Sequence, residues 1–273
     1  MIDNLIAIFN LGFFRNAFIA AFIASITCGI IGTYIVSRRI VFISGGITHA
    51  SFGGIGMGYY FGFDPILGAI IFGIMSALGI EFFTKRADLR EDSAIAMLWA
   101  LGMALGVIFI FLTPGYAPNL MSYLFGNILT VSAEDLIYLI VLTVIIVGFF
   151  LTFYRMIIFV SFDEEYALTN NAPVRLFNAL LISLVALTIV LNIRVVGIIL
   201  VMSLLTIPQA IANLFTKRFD IMMIYSILFG FIGSVAGLAF SYVYDIPSGA
   251  AIIFCLVVIY AISKMVFLLR RKS

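Results

Sequence analysis

The sequence predicts an all-α polytopic membrane protein, a compact bundle of about nine transmembrane helices. Apolar residues make up 64% of the 273-residue chain and charged residues only 10%, and the mean hydropathy is +1.25. These values lie far outside those of water-soluble globular domains. The apolar residues come in runs of about 20, the length that a helix needs to cross the hydrocarbon core. Because lipid offers the backbone no hydrogen-bonding partner, these runs must be helical.

Charges, prolines and polar clusters divide the chain into its predicted spans. In chain order these are 14–36, 41–62, 65–83, 93–112, 136–154, 177–191, 195–215, 222–244 and 250–268. Only the polar residues 192–194 separate the sixth span from the seventh. These two runs could instead form one broken helix with a re-entrant piece. The predicted number of spans is therefore about eight to ten.

The distribution of Lys and Arg predicts the orientation, because cytoplasmic loops collect these residues. With an odd number of spans and the N-terminus outside, only Arg15 and Arg194 fall on the outer side. The cytoplasmic segments then hold Arg38, Arg39, Lys85, Arg86, Arg90, Arg155, Arg175, Lys217, Arg218, Lys264, Arg270, Arg271 and Lys272. We therefore expect a multi-pass protein of the cell (inner) membrane with its N-terminus outside and its C-terminus in the cytoplasm.

Several classes of function are excluded by the composition and the connections. The longest polar connections, 113–135 and 155–175, cannot hold a soluble domain, so residues 1–273 form a single predicted membrane domain. None of the four lysines follows a glycine, so the chain has no P-loop. Any ATP hydrolysis is expected on another polypeptide, and the chain itself is not expected to be an enzyme. A net charge of +2 without a basic patch argues against nucleic-acid binding.

The most unusual residue is His49, the only histidine, which lies inside the second predicted span. At helical spacing its neighbours are Gly45, Gly46, Gly53 and Gly56, so the helix face around the imidazole is bare backbone. One interpretation is a close helix–helix seam across which His49 donates a hydrogen bond. The other is a path through the membrane that the glycines line, with His49 as a transient ligand for a cation.

Two further segments carry polar residues that a simple span would not need. Pro208 and Gln209 interrupt the seventh span, where Gln209 could line a polar cavity or bond to neighbouring carbonyls. The segment 161–173 predicts a short helix with an acidic first turn, Asp163, Glu164 and Glu165, which suits the helix dipole. This helix is either a solvated connector or a docking surface for a partner.

These segments resemble the permease subunits of zinc and manganese ABC importers. The matching stretches are 38–44 with 48–50, 124–129, 162–167, 195–208 and 245–250. No single stretch is decisive, but their order and spacing make the resemblance specific and extend it over nearly the whole chain. The resemblance implies the fold of type II ABC importer permeases and import of a divalent transition-metal ion.

The resemblance also implies partners and site residues. In that family, a permease dimer forms one central path, an extracytoplasmic protein delivers the metal, and cytoplasmic ABC ATPase subunits grip a coupling helix. The coupling helix falls on 163–170, with Asp163, Glu164, Glu165, Tyr166 and Ala167 as contact residues, and a metal-coordinating position falls on His49. The metal is the transported substrate, and no permanently bound cofactor is expected.

One departure from the family concerns the metal ligands. Many relatives carry an Asp four residues before the histidine, where this chain has Gly45. A further ligand must therefore come from another helix, from water or from a symmetry mate. The alternatives are a siderophore- or cobalamin-type permease with a wider path, or a secondary metal transporter. The latter is disfavoured because neither coupling-ion acids nor inverted repeats are found in the spans.

Overall fold

The structure, a computed structural model, describes residues 12–114, 126, 128–162, 164–170 and 172–272. No strand occurs in these ranges, and helices joined by short connections make up the described residues. The helices are α1 (Gly12–Ser37), α2 (Val41–Phe61), α3 (Pro65–Arg86), α4 (Glu91–Leu112), α5 (Ala133–Phe162), α6 (Glu164–Thr169), α7 (Val174–Val196), α8 (Ile198–Leu204), α9 (Ile207–Phe215), α10 (Phe219–Tyr244) and α11 (Ser248–Lys272). A 3-10 turn, Ile128–Thr130, precedes α5.

Every predicted span is helical in the structure. Within the described ranges, eight helical segments are long and apolar enough to cross a membrane, with α8 and α9 together counted as one. The remaining predicted span is α2, which has 21 residues and no charged side chain. Its many glycines, serines and other small or polar residues make it less apolar than the others. The fold is thus the predicted all-α polytopic one, with a span count inside the predicted range.

The sequence-based division between the sixth and seventh spans was wrong in position. Helix α7 runs through residues 192–194 and ends at Val196. The polar side chains have partners inside the protein: Asn192 donates to Thr27 Oγ1 at 3.3 Å, and Arg194 forms an ion pair with Asp135. The helix ends instead at Gly197, whose φ of +82° is a left-handed conformation that glycine adopts without steric cost.

The seventh predicted span is itself broken. Helix α8 ends at Leu204, and α9 begins at Ile207 with Pro208 in its first turn. Proline is tolerated there because the first backbone N–H groups of a helix have no partner within it. The interruption that Pro208 predicts is therefore present, immediately before the proline.

The described chain divides into two compact units, each built from separate stretches of sequence. One comprises Met1–Val36, Met121–Ile146 and Asn192–Ser273, and it contains α8 to α11. The other comprises Ser37–Leu120 and Val147–Leu191, and it contains α2, α3, α4 and α6. We call them unit 1 and unit 2. The single membrane domain over 1–273 stays a prediction.

Glycines bring three helices of unit 2 into backbone contact. A Cβ atom on Gly54 of α2 would overlap the carbonyl group of Gly68 of α3. On the side of α4, a Cβ on Gly56 would lie 2.6 Å from the carbonyl oxygen of Gly106, and one on Gly102 would overlap Ala50. Such approach of backbones is the usual mode of helix packing in membranes. Helix α2 is therefore held between α3 and α4 by its small residues.

Because the backbones of α2 and α3 lie so close together, we expect one added methyl group to have a large effect on stability. We expect Gly54→Ala to destabilise the protein by about 1 to 3 kcal/mol, because the clash is with backbone, which cannot move aside as a flexible side chain can. The matched control is Gly148→Ala in α5, where an added Cβ meets no heavy atom within 4 Å. Thermal unfolding of both purified variants in detergent measures the difference. Equal melting temperatures would contradict the close α2–α3 contact.

Candidate functional site

His49 lies on α2 and stacks on the side chain of Trp99 of α4. The two ring centroids are 4.2 Å apart and the ring planes differ by 6°. Phe52 lies one helical turn from His49, with its ring nearly parallel to the imidazole at 6.4 Å. Trp99 is the only tryptophan in the chain, and 38% of its surface is exposed. The stack fixes the plane of the imidazole and covers one of its faces.

The imidazole has an unused polar atom. Nδ1 of His49 is buried and has no hydrogen-bond partner among the described residues, whereas the residue as a whole is only partly buried. An unpaired buried nitrogen costs free energy, about 1 to 3 kcal/mol for a typical group. A neutral imidazole carries one N–H and one bare nitrogen, and the bare nitrogen is a good ligand for divalent transition metals. A cation or a water molecule at this atom would offset the cost.

The predicted path-lining glycines lie around His49, and the structure gives two of them close neighbours. A Cβ on Gly46 would lie 2.6 Å from Cγ2 of Ile95, and one on Gly53 would lie 3.1 Å from the carbonyl oxygen of Gly102. Gly45 is buried within α2. These contacts agree with the interpretation of the glycine face as a helix–helix seam. A role for Gly45, Gly46 and Gly53 in lining a path stays a prediction.

Further protein ligands for a cation are not gathered around His49. Across the described ranges, no three His, Cys, Asp or Glu side chains lie together as a potential metal site. Helix α2 presents Gly45 at the position where a carboxylate would complete a pair with the histidine. One described chain therefore offers a cation one imidazole, with the remaining ligands to come from water or from a second copy.

Gln209, predicted to line a path or a polar cavity, lies in unit 1 and is fully buried. Its Nε2 donates to the carbonyl oxygens of Cys28, at 2.8 Å, and Leu204, at 3.1 Å. The side chain thereby binds α1 and satisfies a carbonyl that the break between α8 and α9 leaves without a helical partner. Hydrogen bonding to neighbouring carbonyls was one of the two alternatives predicted for Gln209. A role in lining a path stays a prediction.

The predicted coupling segment does contain a short helix, α6. Asp163 lies outside the described residues, and so does the side chain of Glu164. Glu165 and Tyr166 are exposed, whereas Ala167 is only 2% exposed. Ala167 packs in an apolar cluster with Val160, Val174 and Phe177. One face of α6 is thus anchored in unit 2, and Glu165 lies on the exposed surface.

Three further contacts lie within and around this segment. The ring of Tyr166 lies 5.5 Å from that of Phe159 at the end of α5. The guanidinium of Arg38 donates to the carbonyl oxygen of Val160 at 2.8 Å, which links the α1–α2 connection to the end of α5. Asn170 donates through Nδ2 to the carbonyl oxygen of Tyr166 at 2.9 Å and closes α6. Helix α6 is therefore attached to the end of α5 through Tyr166.

Sequence reasoning missed Trp99 and Arg38 as parts of these sites. Trp99 lies 50 positions after His49, and no local spacing shows that they stack. The one available signal was that Trp99 is the sole tryptophan and lies within a predicted span. Arg38 was counted only as a cytoplasmic charge, because a hydrogen bond to a distant carbonyl leaves no trace in the sequence.

Comparisons with known proteins agree with the fold. A family model described as the ABC 3 transport family matches residues 10–267. The manganese transport system membrane protein MntC of Halalkalibacterium halodurans is 34% identical over 92% of this chain and 86% of its own. An uncharacterized membrane protein of Synechocystis sp. is 40% identical over 96% of this chain and 94% of its own.

Among solved structures, one is similar over nearly its full length. The structure of PsaBC from Streptococcus pneumoniae in complex with Fab contains a chain with a TM-score of 0.85 and 30% identity. The match covers 96% of this chain and 95% of that one. The similarity therefore extends over the helices that carry His49, α6 and Gln209.

Proposed function

The chain belongs to the ABC 3 transport family, and we propose that it is the membrane-spanning subunit of an ATP-driven importer of a divalent transition-metal ion, manganese or zinc. The single structural observation that supports the metal assignment is His49, whose Nδ1 is buried without a hydrogen-bond partner in the part of the chain that the structure describes. Imidazole nitrogen is a ligand for transition-metal ions, whereas Mg²⁺ and Ca²⁺ prefer shells of oxygen. The similarity to a manganese transport system membrane protein supports the same substrate class.

A site with a single imidazole ligand is better suited to the transient passage of an ion than to its tight binding. A site in a transport path must bind its ion strongly enough to admit it and weakly enough to release it. The chain has Gly45 in place of a carboxylate, and among the described residues no three His, Cys, Asp or Glu side chains lie together. The metal is therefore cargo, and no resident cofactor is part of the proposal. Gly45, Gly46 and Gly53, around His49, are proposed to border the path, and a path-lining role for Gln209 stays a prediction.

The proposal includes three partners. The chain has no P-loop, so ATP hydrolysis is assigned to a cytoplasmic ABC ATPase that docks on α6 through Glu164, Glu165 and Tyr166. An extracytoplasmic metal-binding protein would deliver the ion. A second copy of the chain is supported by the single imidazole that each described chain offers, because two copies around one path would supply two.

Transport assays in proteoliposomes test the function. Vesicles that contain this chain and its partner ABC ATPase should accumulate manganese or zinc only when ATP and the binding protein are supplied. Matched vesicles without ATP provide the control. Uptake of a ferric siderophore or a cobalamin, with no uptake of free metal ions, would support the siderophore-type permease instead and refute the proposal.

The proposed orientation predicts where introduced cysteines react. Thr169→Cys, at the end of α6, should react only with a reagent that reaches the cytoplasm, because cytoplasmic loops collect Lys and Arg. Ala117→Cys, which lies outside the described residues, should react from the outer side. The native Cys28 is buried and Cys255 is partly exposed, so Cys255→Ser provides a silent background. Labelling of position 169 by an impermeant outer reagent would overturn both the orientation and the docking role of α6.

A further inference from the structure

A cleft in unit 2 combines apolar walls with a cationic rim. It has a volume of about 710 Å³ and lies between the end of α3, the end of α6 and the start of α7. Its apolar walls include Leu78, Phe82 and Leu168, and its rim carries Lys85, Arg86 and Arg175. Neither the metal site nor the acidic surface of α6 uses these residues.

The described residues that line the cleft carry more positive than negative charge. They include three cationic side chains and one carboxylate, that of Glu81, which lies 3.3 Å from Lys85. The guanidinium of Arg86 lies 5.9 Å from the ring centroid of Phe82. Arg86 and Arg175 are exposed. A guanidinium on an apolar surface offers a planar set of donors that matches the oxygens of a phosphate.

An exposed apolar stripe on α3 leads into this cleft. Its members are between 37% and 64% exposed: Leu67, Ile71, Met75, Leu78 and Phe82. Their spacing of three or four residues places them on one face of the helix. The stripe ends one turn before Lys85 and Arg86, the last two residues of α3. A membrane helix thus presents a continuous apolar surface that terminates in positive charge.

We propose that this cleft binds an acidic phospholipid. The phosphate of the headgroup lies among Lys85, Arg86 and Arg175, and an acyl chain follows the α3 stripe. Basic pockets at the ends of membrane helices are suited to anionic headgroups, and each Lys or Arg contributes roughly a fivefold gain in affinity near a membrane surface. A soluble anion would match the rim but would leave the apolar walls and the stripe unused.

Lipid binding to the purified, delipidated full-length protein tests the proposal. Native mass spectrometry would compare phosphatidylglycerol with phosphatidylcholine of identical acyl chains. The test variant carries Lys85→Gln, Arg86→Gln and Arg175→Gln. The matched control carries Arg39→Gln, Arg90→Gln and Arg270→Gln, which remove equal charge outside the cleft. We expect wild type and control to bind phosphatidylglycerol at least about tenfold more tightly than phosphatidylcholine, and the test variant to lose this preference.

Further measurements distinguish an acidic phospholipid from other ligands of the cleft. Arg175→Gln alone, a change at an exposed side chain, should lower phosphatidylglycerol binding by roughly threefold to fivefold without affecting folding. Glycerol 1-phosphate at the same concentration should not displace the lipid. Displacement by it would show a bare phosphate site and overturn the proposal. Equal lipid binding by the test and control variants would also overturn it, and loss of ATPase co-purification in the test variant alone would then assign the cleft to the ATPase.

Discussion

Replacing His49 by alanine is expected to lower metal uptake at least about tenfold while the protein still folds and still binds its ATPase. The reason is that His49 is the only histidine of the chain, and this change removes the one imidazole proposed to contact the ion. Mutation of a residue that only orients a metal ligand already lowers metal affinity by roughly tenfold or more. Uptake of manganese and zinc in proteoliposomes measures the loss.

The competing interpretation, in which His49 only joins helices, predicts a different pair of results. Loss of one interhelical hydrogen bond in a membrane costs about 0.6 to 2 kcal/mol, and loss of an aromatic stack about 0.5 to 1.5 kcal/mol. Such a variant would melt at a lower temperature but transport normally. Normal uptake together with a lowered melting temperature would make His49 structural and remove the metal site from the proposal.

The stack on Trp99 adds a measurement that needs no ATPase. Trp99 is the only tryptophan, and its ring centroid is 4.2 Å from that of His49. Manganese(II) is paramagnetic, so its binding at His49 should quench the tryptophan fluorescence of the wild type. His49→Ala should abolish the saturable part of this quenching. Trp99→Phe is the matched control for uptake, because it keeps an aromatic ring against the imidazole, and it should transport nearly as well as wild type.

Reversing the acidic charge on α6 is expected to uncouple the permease from its ATPase. The variant combines Glu164→Lys with Glu165→Lys, and Glu165→Lys alone should show part of the effect. The changes oppose the dipole at the start of α6 and reverse the charge offered to the partner. Charge pairs across an interface contribute about 1.5 kcal/mol or more, so ATPase binding should weaken at least about tenfold. Co-purification and ATP-driven uptake measure it.

The fold of the variant should survive, because α6 is held by the opposite side of the helix. Ala167 packs with Val160, Val174 and Phe177, and none of these contacts involves Glu165. Glu134→Lys is the matched control: it reverses a charge in the first turn of α5, on the predicted outer side. Unchanged co-purification and unchanged uptake in the α6 variant would remove the docking role from this helix.

The sequence was sufficient to predict the features that depend on the partition of residues between lipid and water. Spans follow from apolar length, and their ends follow from charges and prolines, so eight of the nine predicted spans each correspond to one helix and only the seventh is broken. The error at residues 192–194 has a physical cause. Asn192 and Arg194 resemble loop residues in a sequence, but hydrogen bonding to Thr27 and the ion pair with Asp135 let a helix carry them. Those partners are 59 to 165 positions away, where no local pattern reaches.

In the candidate sites, too, local features could be predicted from the sequence, whereas contacts between distant segments could not. The unusual setting of His49 among glycines was visible in the sequence, because both residue type and spacing are local. The stack on Trp99 depends on how α2 meets α4, and the sequence does not specify that register. On α6, the sequence predicts a helix with an acidic first turn, but which side chains are buried depends on the neighbouring ends of α5 and α7. Ala167 and Glu165 were therefore equivalent candidates until the structure separated them.

During synthesis, α2 leaves the ribosome before the two helices that cover its glycines. Until α3 and α4 have followed, the backbone of α2 is exposed at Ala50, Gly54 and Gly56. A segment of 21 residues with so few large apolar side chains gains little from lipid by itself. Helix α2 is therefore expected to settle in the bilayer as part of a hairpin with α3, and the residues closest to the proposed metal site would be among the last of their neighbourhood to become stably inserted.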